Sequence, residues 1–173
     1  MTRLLKLMRK NLLPYLCFII CLLSCIKEKQ TGADLAIGDP IPDFSVTMND
    51  GTEVTSAQLS QGAAVIAFFT TACPDCQQTL PHIQDLYNVY TSKGVKFALI
   101  SREEGSESIE KYWGENDLTL PYSAQKDRTI YELFAKTRVP RVYICKDGII
   151  KAIYTDQPQN PTFDQLSAAL NSL

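Results

Sequence analysis

Apolar positions in the first half of the chain outline a hairpin, a buried strand and a long helix. Residues 44–48 and 52–55 alternate between apolar and polar positions around an Asn-Asp-Gly turn, which predicts a β-hairpin. Residues 63–69 are apolar throughout, a pattern typical of a strand buried on both faces of a sheet. After Pro74 the pattern changes to helical spacing, with apolar side chains at Leu80, Ile83, Leu86, Tyr87 and Tyr90.

The second half of the chain alternates strands with helices and ends in a helix. Residues 95–100 predict a further strand, and the runs 141–145 and 149–154 predict an antiparallel hairpin at a sheet edge, around an Asp-Gly turn. Helical spacing predicts three more helices, over 106–114, over 127–136, and after Asn160 or Thr162. This order of elements indicates an α/β fold in a single domain.

Two thiols lie where the buried strand gives way to the long helix. Cys73 and Cys76 form a C-x-x-C motif with Pro74 and Asp75 between them. A helix N-terminus carries unpaired N–H groups and partial positive charge, a setting that lowers the pKa of a cysteine from about 8.5 to between roughly 3.5 and 7.5. The spacing places Cys76 one turn further on the same face. We therefore predict that Cys73 attacks a disulfide and that Cys76 resolves the mixed disulfide.

The same motif also occurs as a structural disulfide or as half of a zinc site. Zinc requires a second pair of ligands, and the sequence has no other C-x-x-C, no H-x-x-x-H and a single histidine. We therefore expect no metal, and no cofactor beyond the redox-active Cys73–Cys76 disulfide itself. Cys145 stands in an apolar run, and we expect it to be a small buried hydrophobe rather than a third redox thiol.

The N-terminal residues 1–24 have the pattern of a signal peptide. A basic start precedes an apolar stretch over 12–23 that is short for a membrane span. Ser24 suits a cleavage site, and the Cys25 after it resembles the bacterial lipobox, which implies a lipid on Cys25 that anchors the protein to a membrane. An uncleaved membrane anchor is the alternative. Ile26 stands where an aspartate favours the inner membrane, so the outer membrane is favoured.

Cleavage would leave a polar tether over 25–36 and a domain over 37–173. A cleaved signal peptide and an uncleaved anchor both predict that the domain lies outside the cytoplasm, in the cell envelope of a bacterium and facing the periplasm. The chain carries a formal charge of −2, and removal of residues 1–24 leaves 13 basic against 19 acidic residues. An acidic balance of this kind argues against nucleic acid as a partner.

Four features resemble the TlpA/ResA-type thioredoxin-like lipoproteins and thiol–disulfide oxidoreductases. They are the segment AVIAFFTTACPDC, Pro81 five residues after Cys76, the Val139-Pro140 step before an apolar strand, and the Asp147-Gly148 turn. The resemblance implies a thioredoxin-like three-layer fold over 37–173, with a central mixed sheet, flanking helices and an N-terminal β-hairpin. It also implies that Pro140 is cis and faces Cys73, and that the backbone of Val139 binds a substrate strand.

The sequence departs from that family around the motif. Ala72 replaces the usual tryptophan, and Ala67 and Thr79 stand where the family or thioredoxins carry an acid that takes the proton of the resolving thiol. Asp75 or water remains for that role. The charge of Asp75 also disfavours an adjacent thiolate, which makes a dithiol more reducing. Arg141 replaces a small residue, and we expect it either to favour acidic substrates or to extend into solvent.

The sequence therefore predicts a disulfide reductase that acts on protein disulfides in the cell envelope and is recycled by a membrane thiol reductant. The alternative is a peroxiredoxin-like thiol peroxidase in which Cys73 reacts with peroxide, because Thr70 has the spacing of a peroxidase threonine. A peroxidase site also needs an arginine near the thiolate, and Arg141 and Arg128 are the candidates. A third reading is a non-enzymatic module with a static Cys73–Cys76 disulfide.

Overall fold

The computed structural model of the protein describes residues 34–173. The predicted signal peptide 1–24, the predicted lipidation of Cys25 and most of the predicted tether 25–36 lie outside these residues. Among the helices of residues 34–173, none combines the length and the apolar character needed to cross a membrane.

The predicted N-terminal hairpin is present and leads into a short helix. Strands β1 (Ser45–Thr47) and β2 (Glu53–Thr55) pair antiparallel, with Val46 opposite Val54. Helix α1 (Ser56–Leu59) follows directly, and Thr55 caps it through a reciprocal pair of hydrogen bonds with Gln58.

A four-stranded mixed sheet forms the centre of the fold. Its strands are β3 (Ala63–Phe69), β4 (Lys96–Ser101), β5 (Arg141–Lys146) and β6 (Ile149–Thr155), in the order β4-β3-β5-β6. Strand β3 runs parallel to β4 and antiparallel to β5, and β6 returns antiparallel to β5. The uniformly apolar run 63–69 forms the inner strand β3. Its side chains are buried on both faces of the sheet, as such a run predicts.

Four helices follow α1 along the chain. They are α2 (Pro74–Tyr90), which a 3₁₀ turn (Thr91–Lys93) extends, α3 (Ser106–Glu115), α4 (Thr129–Glu132) and α5 (Phe163–Asn171). The mixed sheet, its flanking helices and the N-terminal hairpin confirm the predicted fold class.

The helix predicted over residues 127–136 was too long, because α4 covers only four residues. Its end tightens through i→i+3 hydrogen bonds from Leu133 to Ile130 and from Phe134 to Tyr131. Beyond it, the N–H of Lys136 donates to a side chain far away in sequence rather than to a helical carbonyl. Phe134, at this turn, is fully buried in the core.

Aromatic side chains pack on one face of the central strand. Phe68 is fully buried, and its ring lies 5.3 Å from that of Tyr131, 5.0 Å from that of Phe134 and 6.3 Å from that of Tyr143. Edge-to-face and tilted contacts of this kind add to the free energy of burial.

Strand register brings four loops to the same edge of the sheet. Phe69 at the end of β3 is paired with Ser101 at the end of β4, and Arg141 at the start of β5 is paired with Thr155 at the end of β6. Phe68 pairs with Arg141 and thereby joins the two halves of this edge. The loops that adjoin these four strand ends form the candidate site.

Candidate functional site

Cys73 lies at the junction of β3 and α2, where the sequence predicts the attacking thiol. It is the N-cap residue of α2, with extended backbone, and Pro74 occupies the first helical position. Its carbonyl accepts the N–H of Gln77 at 3.0 Å, which begins the helix. Cys73 is partly exposed, and as the N-cap residue it lies beside the unpaired N–H groups of the first turn.

Cys76 lies one turn into α2 and is fully buried. Burial raises the pKa of its thiol well above the ordinary value, and the negative charges of Cys73 and Asp75 act in the same direction. The two thiols therefore differ in exposure: Cys73 is partly exposed, whereas Cys76 is buried one helical turn further on. This asymmetry suits an attacking thiol and a resolving thiol.

The loop before β5 faces the attacking thiol. The Val139–Pro140 peptide bond is cis, as the resemblance implies. The Cys73 thiol donates to the carbonyl oxygen of Val139, with 3.4 Å between sulfur and oxygen. Val139 and Pro140 are both buried and hold this carbonyl beside the sulfur.

A carboxylate that sequence reasoning missed anchors the loop before Cys73. Glu104 accepts the N–H of Thr71 at 2.7 Å and also the Thr71 hydroxyl in a short hydrogen bond. On the other side, Gln77 donates to the carbonyl of Thr71 at 2.8 Å. Glu104 follows the end of β4, and only the parallel pairing of β3 with β4 brings it here. In the sequence Glu104 is one of several polar residues in a loop, so nothing distinguished it as a residue of the site.

The surroundings of Arg141 contradict both expectations drawn from the sequence. Its side chain does not extend into solvent, and its charge is paired within the protein rather than free for an acidic substrate. It is 6% exposed, and its Nη2 lies 2.7 Å from Asp34 Oδ2. The other oxygen of Asp34 accepts the N–H of Lys136 at 2.8 Å. The start of the described chain is thereby fixed to the segment that leads into the cis-proline loop.

Asp75 lies in the first turn of α2 and has a partner from the loop between β6 and α5. Asn160 donates through Nδ2 to Asp75 Oδ1 at 3.0 Å and to Gln78 Oε1 at 3.1 Å. Of the two predicted starts for the last helix, Thr162 is the N-cap. Asn160 belongs to the redox site instead.

The remaining candidate groups lie away from the dithiol. Cys145 is fully buried in β5, as predicted, and burial raises the pKa of its thiol to about 12. Within residues 34–173, no group of three or more His, Cys, Asp or Glu side chains is placed to bind a metal ion. The described part of the chain contains Cys73, Cys76 and Cys145 as free thiols.

The arginine that a peroxidase site requires is not supplied by the two candidates. Arg141 is engaged by Asp34 and the Thr137 carbonyl, and Arg128 donates to the Lys136 carbonyl. The hydrogen bond that the structure gives the Cys73 sulfur goes to Val139. This arrangement does not favour the peroxidase alternative.

Comparison with known proteins agrees with this geometry. The model of the AhpC/TSA family matches residues 37–153. The chain is 30% identical over 142 residues to thiol-disulfide oxidoreductase ResA from Oceanobacillus iheyensis, a match that covers 79% of this chain and 72% of the relative.

Solved structures share the fold. The thioredoxin domain of a thiol-disulfide oxidoreductase from Bacteroides vulgatus superposes with a TM-score of 0.68 at 20% identity, over 80% of this chain and 98% of that one. Peroxidoxin BcpB from Mycobacterium tuberculosis gives a TM-score of 0.64 at 17% identity, over 80% of this chain and 98% of that one. At such identities the likeness shows the thioredoxin-like fold alone. With the family match and the ResA relatives, the chain belongs to the AhpC/TSA family and is a thiol–disulfide oxidoreductase.

Proposed function

We propose that the protein reduces protein disulfides through the Cys73–Cys76 pair. The observation that carries the proposal is the contrast between the two thiols. Cys73 is accessible at the start of α2 and faces the cis-proline loop, whereas Cys76 is fully buried one turn behind it. A buried second thiol is protected from outside partners and meets only the mixed disulfide formed on Cys73.

The reaction proceeds in two exchanges. The thiolate of Cys73 attacks one sulfur of the substrate disulfide, a Cys73–substrate bond forms, and the substrate's other sulfur leaves as a thiolate that takes up a proton. Cys76 then loses its proton to water or to Asp75 and attacks Cys73, and the second substrate thiol is released. The substrate gains two electrons and two protons, while the enzyme pair is oxidised to a disulfide. A thiol reductant, which we propose to be membrane-bound in the cell, restores the dithiol.

The substrate segment is proposed to lie against the cis-proline loop as an extended strand. The backbone of Val139 would pair with it, and Pro140 has no N–H to compete for the thiolate. The Val139 carbonyl already points at the Cys73 sulfur, which supports this placement.

Asp75 supports the direction toward reduction. It places a carboxylate between the two thiols in sequence, and like charge destabilises the thiolate of the reduced form. We expect a reduction potential toward the thioredoxin end of the range, near roughly −270 mV, and a value near roughly −120 mV would contradict this direction.

The proposed location is the cell envelope, with the protein anchored through lipid on Cys25 and favouring the outer membrane. The support is the sequence of residues 1–26. Incorporation of labelled palmitate into the full chain that disappears in Cys25→Ser would agree with a lipid anchor. Equal labelling of both proteins would contradict it.

Insulin reduction by the purified protein with dithiothreitol as the reductant tests the proposed activity. We expect the wild type to accelerate the reaction and both Cys73→Ser and Cys76→Ser to lose that acceleration. Cys145→Ala is the matched control, because it removes a thiol that is buried away from the site, and it should retain activity. Activity that survives the loss of Cys73 would refute the proposal.

A further inference from the structure

The loop between β6 and α5 forms a third wall of the redox site. Thr155, the last residue of β6, is paired with Arg141, so the loop starts beside the cis-proline segment. Asp156 contacts Arg138 through both carboxylate oxygens, at 2.9 and 3.2 Å. Four residues later, Asn160 reaches the first turn of α2. The loop therefore contacts two segments near the Cys73 sulfur: the residue before the cis-proline step and the first turn of α2.

The orientation of the Asn160 amide is dictated by its neighbours. Its Nδ2 faces two acceptors, Asp75 Oδ1 at 3.0 Å and Gln78 Oε1 at 3.1 Å. A reversed amide would place the Asn160 oxygen against an oxygen of the Asp75 carboxylate, which can only accept hydrogen bonds. The Asn160 Oδ1 atom is buried and has no hydrogen-bond partner among the described residues. An unpaired buried acceptor carries a free-energy cost, which the donation to a charged carboxylate offsets.

The backbone on both sides of Asn160 fixes this contact. Pro161 is buried, and Thr162 begins α5 with a reciprocal pair of hydrogen bonds to Gln165. The backbone around Asn160 therefore fixes the position of its side-chain amide. Its donation compensates part of the negative charge that Asp75 holds in the first turn of the redox helix.

We propose that Asn160 is a positioning residue that holds the Asp75 carboxylate in the first turn of α2 and thereby sets the reduction potential of the Cys73–Cys76 pair. This inference rests on the proposed function, since it concerns the balance between the dithiol and the disulfide. Without the amide donor, the Asp75 charge is less compensated and repels the thiolate of the reduced form more strongly. The pair then becomes more reducing, and the change depends on Asp75.

The test is a double-mutant cycle on the equilibrium with glutathione. Wild type, Asn160→Leu, Asp75→Asn and the double variant are equilibrated with glutathione, quenched with acid, alkylated and analysed by mass spectrometry. Leu has a shape close to that of Asn and no donor, so it removes the contact together with the unpaired acceptor. Gln78→Ala is the matched control, because it removes the other acceptor and leaves the Asp75 contact intact.

We expect Asn160→Leu to shift the equilibrium toward the disulfide by about fivefold, which corresponds to roughly 20 mV for a two-electron couple. In the Asp75→Asn background the same change should alter the equilibrium less than about twofold, and Gln78→Ala should behave as the wild type. Should Asn160→Leu unfold, Asn160→Ala provides the same comparison at lower steric cost.

An unchanged equilibrium in the single variant would overturn the inference. So would an equal shift in the Asp75→Asn background, because a merely structural role of Asn160 does not require the carboxylate. The cycle is independent of the proposed activity, since any accessible C-x-x-C pair equilibrates with glutathione. Failure of insulin reduction would therefore reject the function, and failure of the cycle would reject the role of Asn160.

Discussion

Replacing Asp34 by alanine removes the carboxylate that pairs with a buried guanidinium. Arg141 is 6% exposed, and the Arg141 Nε atom is buried without a hydrogen-bond partner among the described residues. Once Asp34 is gone, the bond that the structure leaves to the Arg141 Nη2 is a 3.4 Å contact with the Thr137 carbonyl. The N–H of Lys136 loses its acceptor as well.

The size of the effect follows from burial. Breaking a buried ion pair by removal of one partner costs roughly 3–5 kcal/mol. The side chain of Asp34 is 37% exposed, so water can enter the space it leaves and solvate part of the charge. We therefore expect Asp34→Ala to lower the free energy of unfolding by about 2–3 kcal/mol. In urea this corresponds to a midpoint lowered by about 1 M or more.

Urea unfolding of the purified, reduced protein is the assay, since urea leaves ion pairs unscreened. Asp39→Ala is the matched control, because the Asp39 carboxylate accepts one exposed hydrogen bond from the N–H of Ala36. A double variant, Asp34→Ala with Arg141→Leu, should be more stable than Asp34→Ala alone, because the uncompensated charge is absent. If Asp34→Ala and Asp39→Ala had the same midpoint, the reasoning about this pair would be refuted.

Three further predictions concern the site and the core. Glu104→Ala should lower the free energy of unfolding by about 1–2 kcal/mol and slow insulin reduction, because the N–H and the hydroxyl of Thr71 both lose their acceptor; exposed Glu103→Ala is the control, and equal effects in the two variants would contradict the prediction. Burial raises the pKa of Cys145, so the reduced protein loses stability as pH rises above the unfolded value of about 8.5. Between pH 8.5 and 10 the free energy of unfolding of Cys145→Ala should fall by about 1.5 kcal/mol less than that of the wild type in urea titrations, and parallel curves would argue against the shift. Phe68→Ala should cost about 3–5 kcal/mol in the free energy of unfolding, and a loss below about 1 kcal/mol would show that its aromatic cluster is not the core.

The sequence was sufficient for the features that depend on local order. The apolar run 63–69 identified the central strand, the Asp-Gly turns marked both hairpins, and the C-x-x-C motif at a strand–helix junction located the thiols. Each of these signals lies within a few residues of the element it predicts. The burial of Cys145 likewise followed from its apolar neighbours.

Contacts between distant segments could not be predicted in this way. Glu104 reaches Thr71 because β3 and β4 are parallel and in register, and Asn160 reaches Asp75 because β6 ends at the same edge. For Arg141 the sequence left two interpretations, contact with acidic substrates or extension into solvent, because its actual partner is not close to it in the chain. Its partner Asp34 is 107 residues away.

The shortened α4 has the same origin. Helical spacing over 127–136 is real, but the last backbone groups are used elsewhere. Lys136 donates its N–H to Asp34, and its carbonyl accepts from Arg128. Tertiary contacts therefore ended the helix earlier than its apolar pattern indicated.

Trapping a mixed disulfide tests the division of labour between the two thiols most directly. Cys76→Ser is incubated with a peptide disulfide, alkylated, and digested for mass spectrometry, with Cys73→Ser treated in parallel. We expect a peptide adduct on Cys73 in the first protein, released by dithiothreitol, and no adduct in the second. An adduct on Cys145, or equal trapping by Cys73→Ser, would contradict the assignment of Cys73 as the attacking thiol and Cys76 as the resolving one.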